Sequence, residues 1–263
     1  MSASQFHRFL MRAAFSGAHV FAWIAAFQAL WILSGSLVGA FAGVAITYTL
    51  MHTVTILALP LAARNMRHGS RRTLETAILA ASAAFAAIGG FYLTSDLSFT
   101  WVMGGFAFLM GVYRALYYVP YELSRSGASR IALFEIVIAL MPACAGILIA
   151  TGFFMPQLLY FLAAALCALA LVPIYFMPDK HEGFSWTYRQ TFHELFAPQH
   201  RILLAISLAE GLEAAALLLV WPISIWLLVE QSYPLLGVIL SATLLLTMVS
   251  RLVLRRLGIV PTP

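Results

Sequence analysis

Charge is what this sequence has least of. Only 10% of its 263 residues are Asp, Glu, Lys or Arg, against about 25% in an ordinary soluble domain. Hydrophobic residues make up 62%, and the mean hydropathy is +0.92. So few charges cannot clothe a surface that faces water, so the expected solvent is lipid. Cysteine is nearly absent. Cys144 and Cys167 sit inside apolar runs without metal-ligand spacing, so they read as small buried hydrophobes, and no metal site is expected. A glycine-rich phosphate loop closed by Lys-Ser/Thr is missing too, which argues against direct coupling to ATP, and no cofactor is expected. The net charge is +5, but the basic residues interrupt apolar runs instead of forming a stripe on a soluble face. Nucleic acid is therefore not an expected partner.

What the chain does have is long apolar runs. A spanning helix needs about 20 mostly apolar residues. Eight runs qualify: Met11–Leu33, Gly39–Ala63, Thr73–Leu93, Phe99–Tyr121, Ile131–Phe154, Gln157–Met177, Ile202–Val229 and Leu235–Leu254. Arg8 and Arg12 precede the first run as in a signal peptide. That run lacks a clean small-x-small cleavage site and leads straight into a second, so it is expected to remain as a span.

With eight spans, both termini and loops 2–3, 4–5 and 6–7 share one side. That side holds Arg8, Arg12, Arg64, Arg67, Arg71, Arg72, Arg125, Arg130, Lys180, Arg189, Arg201, Arg251, Arg255 and Arg256, which are 14 of the 15 basic residues. The fifteenth, Arg114, lies inside a span. The opposite loops hold only Asp96 and Glu230. The positive-inside rule then assigns the crowded side, with both termini, to the cytoplasm of an inner-membrane protein. In the long loop 6–7, Tyr188, Phe192, Leu195 and Phe196 recur at i, i+4, i+7 and i+8, the pattern of a short amphipathic helix on the membrane surface.

Arg67-His68-Gly69 followed by Arg71-Arg72 resembles the loop 2–3 signature of the major facilitator superfamily of secondary transporters, roughly Gly-x-x-x-Asp-Arg-x-Gly-Arg-Arg/Lys. Anchored on Gly69, Arg67 matches the arginine, Ser70 and Arg71 fall at the basic pair, Ala62 replaces the first glycine and Met66 the aspartate. The family repeats the signature after its eighth span, and here "SRLVLRRLG" places Arg256 at the arginine, Arg255 at the aspartate and Gly258 at the glycine. "YRALYYVPYELSRSG" and "VWPISIW" are similar to segments of some bacterial members. The resemblance implies a six-span unit over residues 1–177, a cytoplasmic linker over 178–200 and the start of a second unit over 201–263. The family has twelve spans, so the resemblance implies either a truncated product or a bundle completed by a second chain. It also implies a loop latch that biases one transport state. With Met66 in place of the aspartate, part of that latch is expected to be lost, leaving Arg67, Arg71 and Arg72 to hold orientation.

Polar groups inside spans are costly, which makes them the first functional candidates. Arg114 lies about 12 Å from Glu122 at the end of span four, and Glu135 about 8 Å in from Arg130 on span five. Two readings stay open: Arg114 as the cation for an anionic solute, with Gly111, Tyr117, Tyr118 and Tyr121 on its face, or an Arg114–Glu135 ion pair that fixes two helices. Glu210 and Glu213 lie about 13 and 18 Å beyond Arg201 in span seven, one helical step apart. Two such carboxylates in a dry site are expected to share a proton, which is what proton coupling needs; Glu135 is a third candidate. Tyr48, His52 and Thr55 form a polar stripe on span two, either lining a solute path or bonding a neighbouring helix. Gly35, Gly39 and Gly43 are expected to form a close-packing surface.

The expected protein is all-α, a polytopic helix bundle of major-facilitator type. Its expected work is secondary, proton-coupled transport of a small solute across the cytoplasmic membrane; it is not expected to be an enzyme. The alternatives are an intramembrane lipid-modifying enzyme, which would need nucleophile and base gathered at one depth, and a non-transporting scaffold or fragment.

Overall fold

The computed structural model describes residues 2–93, 98–123, 132–151 and 156–256; 88% of these are helical, and none of them forms a strand. Eight segments are long and apolar enough to cross a membrane. In hydrocarbon the backbone must satisfy its own hydrogen bonds, and the helix does so within one segment. The protein is an all-α polytopic membrane bundle.

Helix α1 (Ala3–Ser34) starts at a reciprocal cap in which Ser2 and Gln5 satisfy each other's backbone N–H, and ends at Gly35 in the left-handed region. It begins eight residues earlier than the apolar run implied. Its first turns are held inside the bundle: the buried His7 ring bonds the Ala170 carbonyl at 2.9 Å and the Tyr117 hydroxyl at 3.0 Å. Helix α2 (Leu37–Asn65) starts at the Ser36 cap and runs into a tight turn over Met66–His68. Helices α3 (Ser70–Phe91), α4 (Phe99–Leu123), α5 (Ala132–Ala150) and α6 (Pro156–Leu169) follow. Then come the short α7 (Tyr188–Leu195), α8 (Arg201–Ala215), α9 (Trp221–Leu228) and α10 (Tyr233–Arg256).

Helix α1 is the axis of the packing. Phe21, Ala22, Trp23, Ile24, Ala26 and Phe27 are wholly buried, and α2, α5, α6 and α9 all touch the helix. Helix α4 lies between α2 and α3, and α3 also packs on α6. The outer surface is apolar, with Trp101, Ile32 and Leu228 among its most exposed side chains. Water would penalise such a surface, whereas lipid does not.

The last two spans pack on the first six. Helix α10 crosses α5 where Gly146 and Gly237 let the backbones touch: a Cβ on either would strike the other helix's main chain, at the Tyr233 and Pro142 carbonyls. Beside that crossing the Ser241 hydroxyl accepts the Ala143 N–H at 2.9 Å. Span seven is not a regular α-helix throughout, as a single spanning run suggested. Pro222 lacks an N–H, and the helix widens to a π-turn over Ala216–Val220 just before it. Of the three glycines expected to form one packing surface, Gly43 meets Leu30 of α1, whereas Gly35 ends α1 instead.

The two faces of the bundle differ. Loop 2–3 is bonded to the segment after α6, through Ser70 N to the Lys180 carbonyl at 2.8 Å and Glu182 N to the Met66 carbonyl at 3.2 Å. At the far end the Tyr233 hydroxyl at the start of α10 donates to Gln28 of α1 at 2.7 Å. Loops 2–3 and 6–7 therefore share a face, as an even span count requires. The Arg256–Gly258 repeat of the loop signature lies outside the described residues, apart from the helical backbone that ends at Arg256.

Candidate functional site

The intramembrane polar residues gather around Arg114 on α4. Its guanidinium is half-buried and makes no hydrogen bond or ion pair among the described residues. Its charge acts on His19 of α1, on Tyr48 and His52 of α2, and on Tyr113 of α4. Three helices thus converge on one cation.

The shell around it is aromatic and short of partners. Trp23 Nε1 donates to His19 Nε2 at 3.3 Å, which puts the His19 ring hydrogen on Nδ1. That Nδ1 is buried with no partner. His52 and Tyr48 sit ring to ring with centroids 4.4 Å apart, and His52 Nε2 is likewise buried without a partner. Trp23 closes on Tyr48 at 5.7 Å, and Phe15 on Tyr113 at 4.9 Å. Thr55, in contrast, is engaged: its hydroxyl donates to the Gly111 carbonyl at 3.2 Å and the Met51 carbonyl at 2.9 Å, stitching α2 to α4. Burying a polar atom without a hydrogen bond costs about 1–3 kcal/mol. Two imidazole nitrogens without a partner among the described residues thus lie in the same cluster as a guanidinium that has none.

The structure redistributes the residues that the sequence brought together. Glu135 does not pair with Arg114. Arg12 of α1 holds it with both guanidinium nitrogens, Nη2 to Oε2 at 2.8 Å and Nη1 to Oε1. Glu135 is in the first turn of α5, level with the arginine-rich end of α1, and reaches a charge there instead of one deeper in the bundle. Tyr117 bonds His7, stacks on Tyr121 and meets Tyr113 at a tilt. Tyr118 points outward and is 59% exposed. Glu210 and Glu213 stay together on α8, far along the chain from this cluster. Both are exposed, and no residue of α8 is buried. His19 was missed by the sequence reading, although a histidine inside an alanine and aromatic run is the same signal that singled out Arg114.

A second polar constellation ties loop 2–3 to the linker. Met66 is fully buried and supplies no acid. The acid comes from Asp179 instead, whose Oδ1 accepts the Arg71 N–H at 2.9 Å and the Ser70 hydroxyl at 3.1 Å. A carboxylate here caps the N-terminus of α3 from 108 residues away. Burial pushes the Asp179 carboxyl up, but these two hydrogen bonds and the neighbouring His181 and Arg71 outweigh it, so it lies below its ordinary value of 3.8. Gly69 has φ +108°, and a Cβ there would meet the Asp179 carboxylate at 2.6 Å. Glycine is what lets the acid approach. Arg67 donates to the Phe184 carbonyl at 2.8 Å, and Arg71 to the Met177 carbonyl at 3.3 Å. The arginines thus hold specific carbonyls, beyond the simple anchoring expected of them.

Compared with known protein families, curated proteins and solved structures, the chain matches none.

Proposed function

We propose that the protein is a secondary transporter of major-facilitator layout that moves a small anionic solute together with protons across the cytoplasmic membrane, its arginine-rich face inward. The observation that carries the reading is the Arg114 guanidinium, which lies within a spanning helix without an ion pair or hydrogen bond among the described residues. A permanent cation in a low-dielectric bundle persists where water or an anionic ligand reaches it. Around it His19 Nδ1–H and the Tyr48 hydroxyl can donate, and no carboxylate among the described residues forms an ion pair with it. A site with several donors and no acid paired to its cation among the described residues suits an anion with several acceptor oxygens. Glu210 and Glu213, one helical turn apart before the π-turn of span seven, are the groups proposed to take up the coupled proton.

The test is uptake of labelled small organic anions into proteoliposomes under an imposed pH gradient. The parent should accumulate anion, and Arg114→Gln should abolish uptake while Arg114→Lys retains part of it. Glu210→Gln or Glu213→Gln should leave solute exchange intact but end accumulation. Accumulation by Arg114→Gln equal to the parent's would overturn the anion site. If both glutamine variants still concentrate solute, the coupling group lies elsewhere.

A further inference from the structure

A cavity of about 400 Å³ opens at the arginine-rich end of α2, lined by Leu61, Arg64, Asn65, Arg67, His68 and Leu116. Three of its six lining side chains are basic and none is acidic. Arg64 and His68 make no hydrogen bond or ion pair among the described residues, and Arg67 spends one nitrogen on the Phe184 carbonyl. The transport reading does not use this cavity, and its depth is wrong for a solute path, since it sits where α2 leaves the apolar layer at Asn65. Above it on the same face of α2, Leu57 and Leu61 are about half-exposed, the outward track that an acyl chain would follow. Beside that track lies α7, whose Tyr188 hydroxyl donates to the Leu57 carbonyl at 3.2 Å and which leaves Leu195 and Phe196 exposed. An amphipathic helix bonded about two turns short of the end of a spanning helix is consistent with this end of α2 lying at the membrane interface.

From this placement we propose that the cavity is a binding site for the phosphodiester headgroup of an anionic phospholipid, with the Arg64 and Arg67 guanidinium groups on the phosphate and His68 at the rim. Guanidinium forks match phosphate oxygens in pairs, and basic pockets between spanning helices are suited to anionic headgroups. A zwitterionic lipid offers the same phosphate but carries an ammonium that the two guanidinium groups repel. A free phosphate would use the cations but gain nothing from Leu57 and Leu61.

Native mass spectrometry of the detergent-purified protein with equimolar phosphatidylglycerol and phosphatidylcholine tests this. The parent should retain phosphatidylglycerol about tenfold over phosphatidylcholine, and Arg64→Gln/His68→Gln should bring that ratio near one. Arg72→Gln, on the same face but outside the cavity, should leave it unchanged, which separates a site from general surface charge. Millimolar inorganic phosphate should not displace the bound lipid. Retention of the preference by the double variant would overturn the proposal. So would its loss in Arg72→Gln, or displacement by phosphate, which would assign the cavity to a soluble anion.

Discussion

Two arginines inside or near the bundle have opposite fates, and they should respond in opposite ways to removal. Arg12 is engaged bidentately by Glu135, so Arg12→Ala takes two charge-assisted hydrogen bonds from a carboxylate that is 19% exposed. A double-mutant cycle on unfolding in detergent should return a coupling of roughly 1–2 kcal/mol between the two positions. Arg114 strands nothing when it goes, because none of the described residues depends on it. Arg114→Met should therefore raise thermal stability while ending anion uptake, the usual trade at a site kept for function. A fall in stability would mean that Arg114 has a structural partner. At Asp179 the sign of the pH effect is fixed by its lowered pKa. Its cap on α3 is fully present above 3.8 and is lost as pH falls through the still lower folded value. Hydrogen exchange at the Arg71 amide should thus stay slow from neutral pH to about 4 and speed up below that relative to neighbouring amides. Asp179→Asn should show the fast exchange at every pH.

At the level of elements, the eight spans could be read from the sequence because each is an unbroken apolar run and lipid leaves a long apolar run few alternatives. Their ends were less legible. The α1 start was missed because His7 and Arg8 look like a polar tail, and only the facing Ala170 and Tyr117 make a place for His7. Pairing was the least legible of all. Arg12 and Glu135 are 123 residues apart, and which acid meets which base depends on helix rotation and crossing, which spacing does not encode. Tyr118 shows the same limit: a helical wheel puts it near Arg114, yet the rotation of α4 turns it out to lipid. The α5–α10 crossing is the element-scale prediction. Gly237→Val would push a side chain into the Pro142 carbonyl, so it should cost about 1–3 kcal/mol and loosen span eight. Gly183→Val, with open space around it, should change nothing. Equal stability of the two variants would show that the crossing is looser than drawn.

For the whole molecule, the bonds joining loop 2–3 to the linker and Gln28 to Tyr233 fix which loops share a face. Single cysteines at His68 and His181 should label from one side of the membrane and one at Ser232 from the other; opposite labelling of His68 and His181 would break the eight-span topology. Helix α1 has a further consequence. Its 32 residues make a rod about 48 Å long, half again the thickness of the hydrocarbon layer. It is buried along most of its length from Leu10 to Phe27, and is bonded to its neighbours through His7 near one end and through Gln28 towards the other. A stiff rod held along its length moves as one piece. A displacement at the His7 end is therefore carried rigidly to the Gln28 end, so that the packing at one mouth of the bundle is mechanically joined to the packing at the other.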